Sequence, residues 1–523
     1  MGSQEPMKLI RSIATVGFYT LGSRLFGFLR TTLMAGFLGT GVLADAAALA
    51  LKIPSLLRRI FAEGAMNAAF VPTFSKYLTS EGSESARSYA EEILSLLLFI
   101  LTLLVIVVEV FMHKLVPFFL PGFKDDPERL SYVIDFTRIT FPFILFISLT
   151  ALYSGVLNSL EKFAAVASSP MMGNIAIIVV AFALLDVTPT AGHAFSYGII
   201  ACGIIQWVWV LVPTHRQGMR LRLRWPKLSP RVRHFFILMG PAAAGSGVVQ
   251  INIFLDMLIA SYLPTGGISF LNYAERLNQL PLSMLGTAVG TALLPLLSKQ
   301  LKKNQYNEAM ESQNLALEYS ILFTTPALLG LMVLGEPIVK VLYEHGKFST
   351  YDTLETTKTL MALASGLPAY IMIKIFSTSF FAQEDTKTPV LVALGSVFLN
   401  LGLNLLFIKP FAHVGLGLAT SFAAWMNAVL LGYLLKKRSL FILNNRIKRF
   451  LPRALISTAL TGIVFWGMMP FLNNLIQSGK SLQILALLMT VILGIGLFTI
   501  FSMITGALDM KDLRFQFSNK KSL

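Results

Sequence analysis

Residues Ile93-Leu94-Ser95-Leu96-Leu97-Leu98-Phe99-Ile100-Leu101-Thr102-Leu103-Leu104-Val105-Ile106-Val107-Val108-Glu109-Val110 decide the fold class. An α-helix needs about 20 mainly apolar residues to cross a hydrocarbon core of ~30 Å, and this run supplies them. Comparable runs recur at Ile175–Leu185 with its flanks and at Leu482–Ile504. The 523 residues are 55% hydrophobic and only 13% charged, with a mean hydropathy of +0.68. A water-facing surface needs far more charge than that. The chain therefore reads as an all-α polytopic membrane protein.

Hydropathy places about fourteen spans at 11–38, 43–74, 92–113, 131–158, 166–186, 192–213, 233–263, 267–298, 314–335, 352–382, 388–408, 411–435, 451–472 and 482–506. Met1–Pro6 reads as an added leader before a natural start at Met7, and no cleavable signal peptide is evident. The net charge of +16 is explained by loops, so nucleic acid is not expected as a partner. Arg216, Arg220, Arg222, Arg224, Lys227, Arg231 and Arg233 follow span six, and Lys299, Lys302 and Lys303 follow span eight. Lys436, Lys437, Arg438, Arg446, Lys448 and Arg449 follow span twelve. With both termini cytoplasmic, all three basic loops lie inside and the acidic Lys124–Glu128 loop lies outside. The single cysteine, Cys202, excludes a disulfide framework.

The sequence also carries a repeat. Ala69-Phe70-Val71-Pro72-Thr73-Phe74-Ser75-Lys76 in span two matches Ala292-Leu293-Leu294-Pro295-Leu296-Leu297-Ser298-Lys299 in span eight. Phe141-Pro142-Phe143 in span four matches Leu367-Pro368-Ala369 in span ten. The offsets are 223 and 226 residues, six spans apart, so both copies cross in the same direction. The expected organisation is a six-helix lobe at 7–230, a second at 231–438, and two further helices with a tail at 439–523.

Charges inside spans are costly and mark function. Span one carries Arg24 and Arg30; span two carries Asp45, Lys52, Arg58, Arg59 and Glu63. On one continuous helix Asp45, Lys52, Arg59 and Glu63 would share a face about 40° wide, with Arg58 beside it. Span eight adds Glu275 and Arg276, and span ten adds Lys374. Some of these can be structural ion pairs or snorkelling side chains, but bases outnumber acids. The surplus predicts a hydrated cavity for an anion, and guanidinium forks suit diphosphate and carboxylate oxygens. A second set, Asp256, Asn400, Asn404 and Thr420, offers hard oxygens for a small cation or hydrogen bonds that glue helices together. Gly479-Lys480-Ser481 imitates the end of a phosphate-binding loop, but Asn474 stands where its first glycine belongs, so ATP binding is rejected.

Ser23-Arg24-Leu25-Phe26-Gly27-Phe28-Leu29-Arg30 and Lys52-Ile53-Pro54-Ser55-Leu56-Leu57-Arg58-Arg59-Ile60-Phe61-Ala62-Glu63-Gly64-Ala65 closely resemble the MurJ-type lipid II flippases. So do Gly290-Thr291-Ala292-Leu293-Leu294-Pro295, His345-Gly346-Lys347-Phe348 and Gln383-Glu384-Asp385-Thr386-Lys387-Thr388-Pro389-Val390. The resemblance implies the multidrug/oligosaccharidyl-lipid/polysaccharide exporter superfamily, with alternating access to a cationic cavity. It implies a substrate site of Arg24, Arg30, Arg58 and Arg276 with the acid Asp45, and cavity or gate roles for Lys52, Arg59, Glu63 and Lys374. It further implies a groove for the polyprenyl tail on the last two helices, which are free of charge over 454–472 and 482–507. Some relatives bind sodium at positions like Asp256, Asn400, Asn404 and Thr420; there the residue matching Asn404 is acidic, which puts sodium in doubt here.

The expected function is outward movement of lipid II across the bacterial cytoplasmic membrane for peptidoglycan synthesis, by a monomer with no cofactor other than a sodium ion. The alternative is export of another lipid-linked oligosaccharide or of drugs. A cavity for cationic drugs should be acidic or neutral, and this one is basic. No acid cluster or metal-ligand set supports a membrane enzyme.

Overall fold

The computed structural model describes residues 4–58, 64–476 and 480–508. All regular structure there is helical, because a backbone in lipid must satisfy its own polar groups. The chain divides into two compact units, Met1–Ser269 and Phe270–Leu523. The first contains α1 (Gln4–Leu38), α2 (Val42–Arg58), α3 (Gly64–Ser80), α4 (Ser83–Phe119), α5 (Pro127–Thr140), α6 (Phe143–Ser159), α7 (Phe163–Leu184), α8 (Ala191–Arg216) and α9 (Pro230–Ala260). The first turn of α10 (Gly267–Lys302) closes it. The second contains the rest of α10, α11 (Tyr306–Val333), α12 (Gly335–Tyr343), α13 (Thr350–Ala364), α14 (Leu367–Phe381), α15 (Lys387–Lys437), α16 (Asn445–Ile476) and α17 (Lys480–Ile504).

Among the described residues the expected spans fall on helix, span two as α2 and α3 on either side of residues 59–63, and nine helical segments are long and apolar enough to cross a membrane. Two departures have physical causes. Spans four and ten are each two helices, α5–α6 and α13–α14, parted at Pro142 and just before Pro368. Proline removes a backbone donor and disfavours helix in the residue before it. Spans eleven and twelve are both α15, whose 51 residues would measure about 77 Å if straight. The chain turns back at Ala412 (φ 47°, ψ −127°), and a Cβ on Gly415 would stand 2.5 Å from the Phe407 carbonyl oxygen. The two compact units divide between Ser269 and Phe270. Helix α9 goes with the first unit because it packs on α3 and α4 and is tied there by side chains.

One tie lies at the start of α9. Ser229 caps that helix, accepting from Val232 N at 3.3 Å, and donates to Glu92. Arg231 stacks its guanidinium 4.7 Å from the Tyr77 ring centre. Glu91, 2% exposed, accepts from Arg222 N at 3.1 Å and from Arg224 Nε at 2.7 Å, and Arg224 N donates to Ser95 Oγ at 2.8 Å. The second unit repeats the device: Arg446 Nε donates to Glu318 at 2.8 Å, and Asn314 Nδ2 donates to the Ile442 carbonyl at 2.9 Å. Glu91 to Glu318 is 227 residues and Arg224 to Arg446 is 222, close to the offsets of the sequence repeat.

The other end of the first unit is organised by Asp45, which is 0% exposed. Its Oδ2 accepts from Arg129 Nη2 at 3.0 Å and from Gly266 N at 2.8 Å. Its Oδ1 accepts from Ser269 N at 2.8 Å and Ser269 Oγ at 2.6 Å. The carboxylate thus caps the positive end of α10 as well as pairing with a guanidinium. Arg129 also donates to the Leu263 carbonyl at 3.1 Å and lies 4.2 Å from the Phe123 ring centre. Beside it Gly122 N donates to Ser261 Oγ at 3.1 Å; a Cβ on Gly122 would sit 2.5 Å from the Ser261 carbonyl oxygen.

Asp45→Ala and Arg129→Ala should each lower stability by about 3–5 kcal/mol, because each leaves a buried charge without its partner. The double variant should cost clearly less than the sum of the two. Thermal unfolding of the purified protein in detergent measures both. A second expectation concerns Asp385, in the connection between α14 and α15. It accepts from Thr388 Oγ1 at 2.6 Å, Thr388 N at 3.0 Å and Arg438 Nη1 at 2.7 Å. These bonds, Thr388's first, hold its carboxyl down to about 2. A depressed folded value stabilises fully above the unfolded value of about 3.9 and fades as pH falls towards 2. Asp385→Asn keeps the acceptor oxygen but loses the charge paired with Arg438, so it should cost up to ~1 kcal/mol at pH 7, the scale of a partly exposed ion pair. The gap from the parent should close between about pH 4 and pH 2.

Candidate functional site

Helix α1 is held against α7 at two glycines. A Cβ on Gly22 would meet Met171 Sδ at 2.7 Å, and one on Gly27 would meet Asn174 Nδ2 at 3.4 Å. Asn174 Nδ2 also donates to the Ser23 carbonyl at 3.3 Å. This packing leaves Phe18, Leu21, Leu25 and Leu29 exposed, a stripe at helical spacing. Arg24 and Arg30 are half-buried, about 9 Å apart along the helix at 1.5 Å per residue.

Helix α2 is fixed to α5, where Thr140 Oγ1 donates to the Ala50 carbonyl at 2.9 Å. Lys52 and Arg58 are half-buried on α2. Helices α1 and α2 both pack on α8, so the first unit brings two cation-bearing helices against the same neighbour. Arg59 and Glu63 lie outside the described residues, so the expected face can be followed only through Asp45 and Lys52.

Asp45 is buried within the first unit. It is sealed among Arg129, Gly266 and Ser269, and none of its four donors is Arg30. Its charge is already offset by Arg129, so it does not balance Arg24, Arg30, Lys52 and Arg58. Sequence reasoning missed Arg129 as the partner. The signal was an arginine at the end of an acidic connection on the same expected side of the membrane as Asp45.

In the second unit Arg276 is half-buried on α10, one turn after Tyr273, which packs on Tyr343 at the end of α12. Tyr343 is wholly buried against Tyr273, 5.3 Å between ring centres, and Phe348, 5.9 Å. The motif His345–Phe348 thus builds the wall beside Arg276. Lys374 is exposed on α14, and a Cβ on Gly286 of α10 would stand 3.2 Å from its Nζ. Gly286 lies ten residues beyond Arg276, about 15 Å along α10. The unit therefore sets two cations along one helix.

The candidate cation set is split between the units. In the first, Asn252 Nδ2 donates to Asp256 Oδ2 at 3.2 Å. In the second, Asn404 Nδ2 donates to Asn400 Oδ1 at 3.0 Å, Asn400 Nδ2 donates to Thr420 Oγ1 at 3.4 Å, and Thr420 donates to the Leu416 carbonyl at 2.8 Å. This chain stitches the two arms of α15 together, and its oxygens are neutral amide and hydroxyl groups. No group of three or more His, Cys, Asp or Glu among the described residues is placed to hold a metal.

Guanidinium and ammonium groups within spans bind oxyanions more strongly than they would in water, since the surrounding dielectric is low. That is a binding arrangement, with no nucleophile and base paired for chemistry among the residues just described. The sequence model described as "Lipid II flippase MurJ" matches residues 34–487. A Rhizobium meliloti (strain 1021) protein named "Probable lipid II flippase MurJ" is 39% identical over 485 residues, covering 92% of this chain and 90% of that protein. A Rickettsia prowazekii (strain Madrid E) protein with the same name is 35% identical, covering 94% and 97%. Among solved structures, "Lipid II flippase MurJ, inward closed conformation" aligns with a TM-score of 0.76 and 28% identity over 94% of this chain and 98% of that one. An inward-facing multidrug resistance MATE transporter of the MOP superfamily aligns with a TM-score of 0.68 at 12% identity over 80% and 94%, a likeness of fold alone. The family match spans most of the chain and includes Lys52, Arg58, Arg276 and Lys374, so this multi-pass membrane protein belongs to the MurJ lipid II flippase family, a family of transporters and not of enzymes.

Proposed function

We propose that this chain moves lipid II from the cytoplasmic to the outer leaflet of the bacterial inner membrane by alternating access, as a monomer with both termini cytoplasmic. The observation that carries the reading is family membership over nearly the whole chain, joined to the cations inside its spans. Arg24, Arg30, Lys52 and Arg58 in the first unit and Arg276 and Lys374 in the second are the residues proposed to bind the diphosphate and peptide carboxylates. Arg59 and Glu63 complete the proposal from the sequence. Asp45 belongs to the proposal with them, and its bonds to Arg129, Gly266 and Ser269 fix the start of α2. The alternative cargo is another lipid-linked oligosaccharide.

Support for two parallel-repeat lobes comes from the proline breaks in spans four and ten and from the matching Glu91–Arg224 and Glu318–Arg446 pairs. The polyprenyl tail is assigned to α16 and α17, which expose Leu455, Ile463, Trp466, Leu488 and Ile492. Sodium is proposed at one site of Asp256, Asn400, Asn404 and Thr420. The hydrogen bonds that stitch α15 use the same oxygens that an ion would take.

An anionic head group leaving a negative cell interior runs down the membrane potential. Each charge crossing the full field gains ~2.3 kcal/mol per 100 mV, so two gain about 4.6 kcal/mol. Collapsing the potential at constant sodium should stall flipping in reconstituted vesicles. Arg30→Ala and Arg276→Ala should abolish it and cause lipid II to accumulate on depletion of the parent protein. Arg→Lys at either site should keep only part of the activity, because the bidentate fork is lost. Full activity in de-energised vesicles, or in Arg276→Ala at normal expression, overturns the mechanism. Undiminished flipping after both sodium replacement and Asp256→Ala removes the ion from it.

A further inference from the structure

Between α8 and α9 the segment 219–229 has no helix. Arg224 turns to α4, where it meets Glu91 and Ser88. Leu223, Trp225 and Leu228 are 65%, 82% and 69% exposed. Two backbone bonds, Arg222 N to Glu91 and Arg224 N to Ser95, hold the segment on α4 while these apolar side chains stay uncovered.

Directly beyond Ser229 and Glu92, a groove runs between α4 and α9. Its lining is apolar throughout, including Ile93, Leu97, Ile100, Val232, Phe236 and Met239. The rim is basic. Residues 215–234 contain no acid, and Arg220, Arg222, Lys227 and Arg233 are exposed. Their side chains make no ion pair among the described residues, and the nearby Glu81, Glu84, Glu91 and Glu92 are taken by Arg231, Arg87, Arg224 and Ser229. A polar, basic rim above an apolar slot, with a tryptophan beside it, matches one kind of molecule present at every membrane surface. Tryptophan favours the head-group layer, and clustered Arg and Lys draw anionic lipid to it.

We propose that the 219–229 segment and the α4–α9 groove form a binding site for an anionic phospholipid. Its phosphate lies against Arg220, Arg222, Lys227 and Arg233, one acyl chain occupies the groove, and Leu223, Trp225 and Leu228 enter the head-group layer. The site is separate from the intramembrane cations proposed to bind lipid II. It rests on the proposed orientation only for which leaflet supplies the lipid.

The test uses the full chain in nanodiscs of phosphatidylcholine with a minor fraction of phosphatidylglycerol. Bromine is placed on the acyl chains of one lipid or the other at equal mole fraction. Trp225 emission is isolated by subtracting the Trp225→Phe variant, which leaves the other four of the five tryptophans in place. Brominated phosphatidylglycerol should quench Trp225 more than brominated phosphatidylcholine. The expected enrichment is roughly five-fold per basic residue in contact, the equivalent of about 1 kcal/mol. The preference should vanish in the Arg220→Gln, Arg222→Gln, Lys227→Gln triple variant and persist when the two arginines become lysine. Equal quenching by both lipids would mean unselective contact with the bilayer and would overturn the site. Quenching by neither would place the segment in water or against a protein and would overturn it too, as would a triple variant that kept the preference. The readout needs neither transport nor a defined sidedness, so its failure and that of the lipid II reading are distinguishable.

Discussion

A buried carboxylate cannot stay charged without donors, and in the first unit Asp45 has four of them. Those donors come from the first residues of α5, the connection after α9 and the first turn of α10. One anion therefore fixes where α2 begins against three other pieces of chain, and through α2 it fixes the depth of Lys52 and Arg58. Breaking such a pair costs more than making it gains, because the survivor is left charged in a place without water. The arrangement is thus worth more as a specifier of geometry than as a source of stability. With Arg129 as its partner, Asp45 is part of the frame that holds α2 in place.

The opposite end of each unit relies on a related device. Glu91 with Arg224 and Glu318 with Arg446 hold a connecting segment onto a long helix, at nearly the same sequence offset. Each glutamate is largely hidden and each arginine about half exposed. The buried partner supplies direction, while the exposed one keeps its hydration. In the first unit this latch fixes a connection on which Leu223, Trp225 and Leu228 stay exposed. The bases of the same connection are therefore placed where lipid phosphate can meet them.

Between these ends, helix breaks do the shaping. Proline parts α5 from α6 and lies at the start of α14 after its break from α13, and a tight turn at Ala412 with Gly415 folds α15 into two arms. Hydrogen bonds among Asn400, Asn404 and Thr420 join those arms. Interhelical amide bonds of this kind replace a hydrophobic drive that lipid does not provide.

Much of this was legible in the chain itself. Hydropathy determined the helical class and every expected span, since apolar length against bilayer thickness is a one-dimensional property. Arg24, Arg30, Lys52, Arg58, Arg276 and Lys374 announced themselves because charge in an apolar run is costly, and the prolines at 142 and 368 marked breaks by their missing donors. The partners were not legible. That Asp45 answers Arg129, eighty-four residues away, that Glu91 answers Arg224 across the unit, and that α9 joins the first unit all depend on which helices become neighbours. Only the tertiary structure decided these, because an ion pair is chosen by distance in space, and residues far apart in sequence give no sign of it until packing brings them together.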